Sequence, residues 1–254
     1  DKGVFYKKNS NKEFFAKDST YQLYYHKIGD IQSKDQLVFD TSNTKSNFSF
    51  FTKQNKLFIV ETSEDETTKN YYYSTIENES FQFKNFIKDD KSNLELLNII
   101  NDKFYFSDEK YSWGNISYFD INNRTENTIL IPQVYSHLLV GATFLENYII
   151  CKYDNMGKYY MSIHDYTGKF IRKFEAPHNM DFQIRFYDEK TNELFVTFYS
   201  YTISSLNYKL NITTGANDIY FNDFINRNCC YSYFQYSKDC STVICLCSRK
   251  NRCI

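Results

Sequence analysis

Glycine and proline are scarce in this chain: its 254 residues hold 7 Gly and 2 Pro. Turns therefore fall mostly to Asn, Asp, Ser and Lys, and Asn suits them because it tolerates a left-handed backbone. The scarcity also excludes sites built on glycine. The glycines at 3, 29, 114, 141, 157, 168 and 215 never form a Gly-x-Ser-x-Gly nucleophile elbow or a phosphate-cradling loop. Neither a His-Glu-x-x-His zinc motif nor an EF-hand pattern occurs. No window approaches the roughly eighteen uninterrupted apolar residues of a membrane helix. The residues after Asp1 show neither region of a secretory leader, and a start without Met is expected of an excerpt. Lys plus Arg is 30 against Asp plus Glu 31, for a net charge of -1. No overall field exists to hold a polyanion, so nucleic acid is not an expected partner.

Cysteine is missing where a disulfide scaffold would need it. Of 7 Cys, Cys151 stands alone in the body, while Cys229, Cys230, Cys240, Cys245, Cys247 and Cys253 crowd the C-terminal end. The body reads as a reduced, intracellular domain. Cys229-Cys230 and Cys245-x-Cys247 lack the paired Cys-x2-4-Cys knuckles of zinc sites, and no histidine accompanies them, so no metal and no cofactor is expected. The sequons at Asn47, Asn78, Asn115, Asn123 and Asn211 are what an Asn-rich chain produces by chance.

Aromatic residues are what the chain has in excess: 24 Tyr, 24 Phe and Trp113 make 19% of it. Such residues favour strands, although codon bias toward A and T, visible also in the preference for Lys over Arg, accounts for part of the excess. Apolar runs of strand length recur at Gly3–Tyr6, Leu57–Val60, Lys103–Phe106, Tyr148–Cys151 and Leu194–Thr197. Taking Phe5, Phe58, Phe104, Ile149 and Phe195 as markers, the intervals are 53, 46, 45 and 46 residues. A second strand follows each marker: Leu23–His26, Tyr71–Tyr73, Ile116–Phe119, Tyr160–Ile163 and Leu206–Lys209. Third strands are expected at Gln36–Phe39, Phe81–Phe83, Thr128–Ile131, Phe170–Lys173 and Ile219–Phe221, and strands such as Phe48–Phe51 and Leu138–Val140 precede markers. Asn93 to Asn101, the best helix candidate, is short and reads better as a strand.

About four antiparallel strands per 46 residues is the arithmetic of a β-propeller blade. Tandem sandwiches need about 100 residues per unit and β-helix coils are much shorter, so both miss the period. Nearly all-apolar markers fit central strands covered on both faces. The expected fold is all-β, a propeller of about five four-stranded blades. Catalytic residues are not expected: His26, His137, His164 and His178 sit in different repeats and read as structural or solvated. Glu64-Asp65-Glu66 and Lys88-Asp89-Asp90-Lys91 read as solvated turns. Trp113-Gly114 lies in a polar turn, with a packing or rim role expected ahead of ligand contact.

The strands also resemble a known family. Leu194 to Ile212 is similar to the last-blade segment of prolyl oligopeptidases, F-x-x-F-T-S-F-x-x-P-x-x-x-Y-x-x-D-L, with Ser204 in place of the proline and Asn211 in place of the aspartate. Leu23-Tyr24-Tyr25-His26-Lys27-Ile28-Gly29 resembles the family's L-Y-Y-H-x-L-G strand, and Ile163-His164-Asp165 through Gly168 its Leu-His-Asp turn. Tyr236 to Ile244 faintly resembles the strands leading back to the hydrolase domain, with Cys240 where glycine is expected and Cys245 where proline is. The resemblance implies the last five of seven blades, residues 1–224 forming the propeller and 225–254 a divergent Cys-rich tail. It also implies a cytoplasmic serine peptidase whose propeller admits oligopeptides to a Ser-Asp-His triad on an α/β-hydrolase domain. That triad lies outside this chain, so no catalytic, cofactor-binding or metal residue can be carried over. A stand-alone peptide- or protein-binding propeller is the alternative. Five blades either close on themselves or leave two apolar faces that reduce solubility.

Overall fold

The computed structural model describes residues 3–9, 20–77, 80–91, 94–123, 126–201 and 205–222. The chain divides into two compact units, Asp1–Gly141 and Ala142–Ile254. Among the described residues the secondary structure is β-strand apart from two three-residue 3-10 turns, Gln32–Lys34 and Pro177–Asn179. All strand pairings within the sheets described below are antiparallel and follow chain order, so each sheet is a meander.

Three sheets belong to the first unit. The first is β1 (Gly3–Asn9), β2 (Tyr21–Lys27) and β3 (Gln36–Asp40). The second is β4 (Asn47–Lys53), β5 (Lys56–Thr62), β6 (Lys69–Thr75) and β7 (Lys84–Asp90). The third is β8 (Glu95–Ile100), β9 (Lys103–Ser107), β10 (Ile116–Asp120) and β11 (Thr128–Ile131). The fourth sheet is β12 (Leu138–Phe144), β13 (Ile149–Asn155), β14 (Lys158–His164) and β15 (Phe170–Glu175). The fifth is β16 (Asp181–Asp188), β17 (Glu193–Tyr199), β18 (Leu206–Asn211) and β19 (Asn217–Asn222).

The markers are the second strands of the last four sheets, and their burial explains their composition. Side chains alternate between the faces of a strand, and in β5 Leu57 and Ile59 enter a cluster with Leu23 and Phe48. Phe58, between them, points the other way, into a cluster with Tyr71, Ile99, Phe104 and Phe119. A strand sandwiched between two clusters has no solvent face and therefore no polar alternation. In the second unit Ile150, Met161 and Ile163 of the fourth sheet pack on Phe182, Val196 and Phe198 of the fifth.

The sequence period returns as hydrogen bonds between neighbouring sheets of the first unit. Gln54 Nε2 donates to Asn101 Oδ1 at 3.1 Å, and Gln54 Oε1 accepts from the Asn101 N–H at 3.0 Å, across 47 residues. Lys53 donates to Asn98 and Lys56 to Asp102, across 45 and 46 residues. Gln54 (φ 47°), Asn55 (φ 57°), Asn101 (φ 49°) and Asp102 (φ 61°) form two-residue hairpins with both central residues left-handed, the type I′ pattern that matches strand twist. Asn and Asp supply most of this geometry, as glycine scarcity requires, and Gln54 adopts it with its side chain tied across to the next sheet.

Three expectations need correction. The first sheet has three strands among the described residues, and its marker β1 is an edge strand, with Val4 51% exposed, not a central one. Phe81–Phe83 is not a strand; β7 follows it, and Phe81 instead packs on Phe5 and Tyr25 at 5.5 and 5.6 Å. Lys88-Asp89-Asp90 lies on β7 and not in a turn; Lys88 is exposed there, as the wet face of an outer strand allows. Glu64-Asp65-Glu66 is the exposed turn expected, where Asp65 accepts from the Ser63 hydroxyl and from Thr67. The expected strand over 93–101 is β8. The six terminal cysteines, Ser204 and Tyr236–Ile244 lie outside the described residues.

Candidate functional site

Two of the four histidines sit in side-chain networks, and each network has the outline of a catalytic arrangement. In the fourth sheet Ser162 and His164 share one face of β14, with Ser162 Oγ 2.8 Å from His164 Nε2. His164 Nδ1 lies 3.2 Å from the Gly168 carbonyl oxygen. A carbonyl only accepts, so Nδ1 carries the proton and Nε2 accepts from the serine hydroxyl. Burial holds the His164 pKa below its ordinary value. The serine–histidine bond resembles that of a hydrolase, but the third member is a turn carbonyl in place of a carboxylate, and Ser162 and His164 are only 7% and 9% exposed. Asp165 is engaged with Thr167 and the Lys169 N–H, and the Thr167 hydroxyl bond lowers its pKa. Ile163 to Gly168 is thus a self-locked turn.

The first sheet holds the other network. Tyr6 on β1 donates to Asp35 Oδ2 at 2.7 Å, and His26 Nδ1 lies 2.6 Å from Asp35 Oδ1. The Asp35 side chain is 4% exposed and that of His26 27%. The Tyr6 hydroxyl holds the Asp35 carboxyl below the usual carboxylate range, with His26 adding to it, and the same bond raises the Tyr6 pKa. Tyr24 stacks on Tyr6 at 5.6 Å. This orders β3 against β1 and β2 and brings no nucleophile to the imidazole.

The remaining expected residues are scattered. His137 closes a tight bridge with Val134 at the foot of β12. The His178 side chain lies outside the description. The Trp113 carbonyl accepts from the Leu139 N–H at 2.9 Å, and its ring meets Tyr135 edge-on at 5.9 Å. Gly114 (φ +76°) is needed beside it, because a Cβ there would stand 2.7 Å from that of Leu139. The indole is half-buried and holds a turn, while Tyr135 is 80% exposed. Cys151 is free and buried, its thiol pushed up to about 12 by desolvation. Beside it Tyr153 is buried and stacked on Tyr160 at 5.1 Å. Among the described residues no three His, Cys, Asp or Glu side chains are grouped to hold a metal ion, and no helix is long and apolar enough to cross a membrane.

Antiparallel sheets of three or four described strands, repeated along the chain, point to a propeller. The family model for the prolyl oligopeptidase N-terminal beta-propeller domain matches residues 1–222. The chain belongs to this family. No curated protein matches it. Similar solved structures include one from a study of two prolyl endopeptidases and their inter-domain dynamics, 17% identical with a TM-score of 0.71, covering 87% of this chain and 33% of that one. Prolyl oligopeptidase B from Galerina marginata bound to a 35mer hydrolysis and macrocyclization substrate is 13% identical with a TM-score of 0.72 and the same coverage. Oligopeptidase B from Trypanosoma brucei with covalently bound antipain is 13% identical with a TM-score of 0.60, covering 78% of this chain and 30% of that one. At these identities the likeness is one of fold, and the chain spans about one third of the first two relatives' length.

Proposed function

We propose that this propeller is the non-catalytic portion of a prolyl oligopeptidase-like serine peptidase and controls oligopeptide access to an α/β-hydrolase domain carried by another part of the protein. The family match over residues 1–222 supports this reading most. The chemistry agrees: among the described residues the one serine–histidine bond is buried and lacks a carboxylate. In a propeller the first strand of each blade is nearest the central channel. Among the exposed first-strand side chains Asn47, Ser49, Thr52, Glu95, Gln183 and Arg185 are polar, whereas Val4, Leu138, Val140 and Phe186 are apolar. The free, buried Cys151 suits a reducing, cytoplasmic compartment.

Reading the gene in frame past Ile254 tests this. The gating reading predicts a Gly-x-Ser-x-Gly hydrolase domain in the same protein. A stop codon directly after Ile254 would contradict it and leave the peptide-binding scaffold.

A further inference from the structure

We propose that the second unit carries a binding site for a peptide C-terminus, one that takes the free carboxylate of an apolar last residue. The site is a cavity of about 370 Å³ between β15 and the strands β17, β18 and β19, within the size range of ligand pockets. Its lining mixes polar and apolar groups: Phe174, Phe198 and Leu210 supply a small, largely buried apolar part among Arg172, Lys173, Glu175 and Asn217. Arg172 stands at its edge.

The commitments of Arg172 define what the cavity accepts. Its Nε donates to the Ile212 carbonyl at 2.9 Å and its Nη2 to the Thr213 carbonyl at 2.8 Å. No carboxylate among the described residues pairs with it. The neighbouring cation, Lys173, is paired with Glu175 at 2.9 Å, so the one carboxylate in the lining is already neutralised. Two carbonyls fix the plane of the guanidinium but leave its charge uncompensated, with the Nη1 hydrogens and one Nη2 hydrogen uncommitted. Those form the end-on fork that matches a carboxylate in bidentate fashion. Gly215 (φ +81°) makes this position possible, because a Cβ there would stand 2.2 Å from Arg172 Nη1.

A carboxylate on the fork and an apolar side chain against Phe174, Phe198 and Leu210 describe an amphipathic anion. The backbone beside the cavity selects a peptide. Among the described residues β15, which supplies the Arg172 to Glu175 wall, is an edge strand of its sheet, and β19 is an edge strand of the next. An edge offers unpaired main-chain groups to an extended chain. The site rests on this geometry alone and is independent of the gating reading.

Titrating the full chain with N-acetyl-glycyl-phenylalanine as the free acid and as the amide, followed by calorimetry, tests the proposal. The acid is expected to bind roughly tenfold or more tightly than the amide, the loss associated with one charge-assisted contact. R172Q removes that difference, and R172K, which keeps charge without the fork, restores part of it. Asn217 is an exposed lining residue of the cavity, so N217W obstructs it while leaving Arg172 and the buried Phe174, Phe198 and Leu210 in place, and abolishes binding with an unchanged melting curve; it decides the matter if R172Q proves unstable. Equal affinity for acid and amide, no binding of the acid by about 10 mM, or full binding by N217W overturns the proposal.

Discussion

Replacing Phe104 by Ala removes the side chain on which the central packing of the first unit converges. Phe104 is fully buried on β9. Its ring stacks on Phe119 at 5.0 Å and meets Tyr71 at 5.4 Å, Phe86 at 5.6 Å and Phe106 at 6.0 Å. Truncating a buried Phe costs about 3–5 kcal/mol, from lost transfer energy and the cavity left behind. The surrounding rings are held by strands on both sides and cannot collapse, and aromatic pairs add to area burial, which places the cost near the top of that range. Against a typical domain stability of about 5–15 kcal/mol this is a large fraction. In urea unfolding followed by circular dichroism, the midpoint should fall sharply at unchanged slope. Phe170→Ala is the control: Phe170 is 55% exposed on the edge strand β15 and should lose less than about 1 kcal/mol. If Phe104→Ala costs no more than Phe170→Ala, the two-faced burial of the marker strands is not what stabilises this unit.

Three further outcomes follow from the buried polar groups. Burial lowers the His164 pKa, so the unfolded chain binds this proton more readily; stability is full above the unfolded value of about 6.5 and falls as pH drops below it. His164→Asn should flatten that part of the stability–pH profile, and an unchanged slope would contradict the assigned tautomer and burial. Glu61, 8% exposed, accepts from Ser46 at 2.5 Å, Thr44 at 3.3 Å and Tyr72 at 2.8 Å. Glu61→Ala strands these hydroxyls and should cost about 1–3 kcal/mol by urea titration; a neutral result would mean water replaces the carboxylate. Cys151, with its thiol near 12, should escape alkylation at neutral pH in the native protein and react once urea is added, as read by peptide mass spectrometry. Modification without denaturant would show that the core opens.

The strands most legible in the sequence were those whose environment is simplest. β5, β9, β13 and β17 are covered on both faces, so apolar runs mark them without ambiguity, and their period reveals the repeat. β1 carries a similar apolar start yet is an edge strand, because composition reports what a strand prefers and not whether a neighbour is there. Phe81–Phe83 misleads for a related reason: aromatic residues that plug a gap between sheets look like a strand, while β7, with its Lys-Asp-Asp end, looks like a turn. β16, Asp-Phe-Gln-Ile-Arg-Phe-Tyr-Asp, mixes polar and apolar positions across a register shift between Ile184 and Phe186, which hides its alternation. The networks were least legible. Asp35 meets Tyr6 across 29 residues, and Arg172 meets Ile212 across 40, so neither spacing matches a local motif or the repeat period.

Incubating the purified chain with a chromogenic glycyl-proline amide, with and without a serine-directed inhibitor, tests the central claim most directly. A propeller that controls access, with no assembled nucleophile among its described residues, gives no turnover above background. Turnover that follows the protein through purification and is abolished by the inhibitor would contradict it.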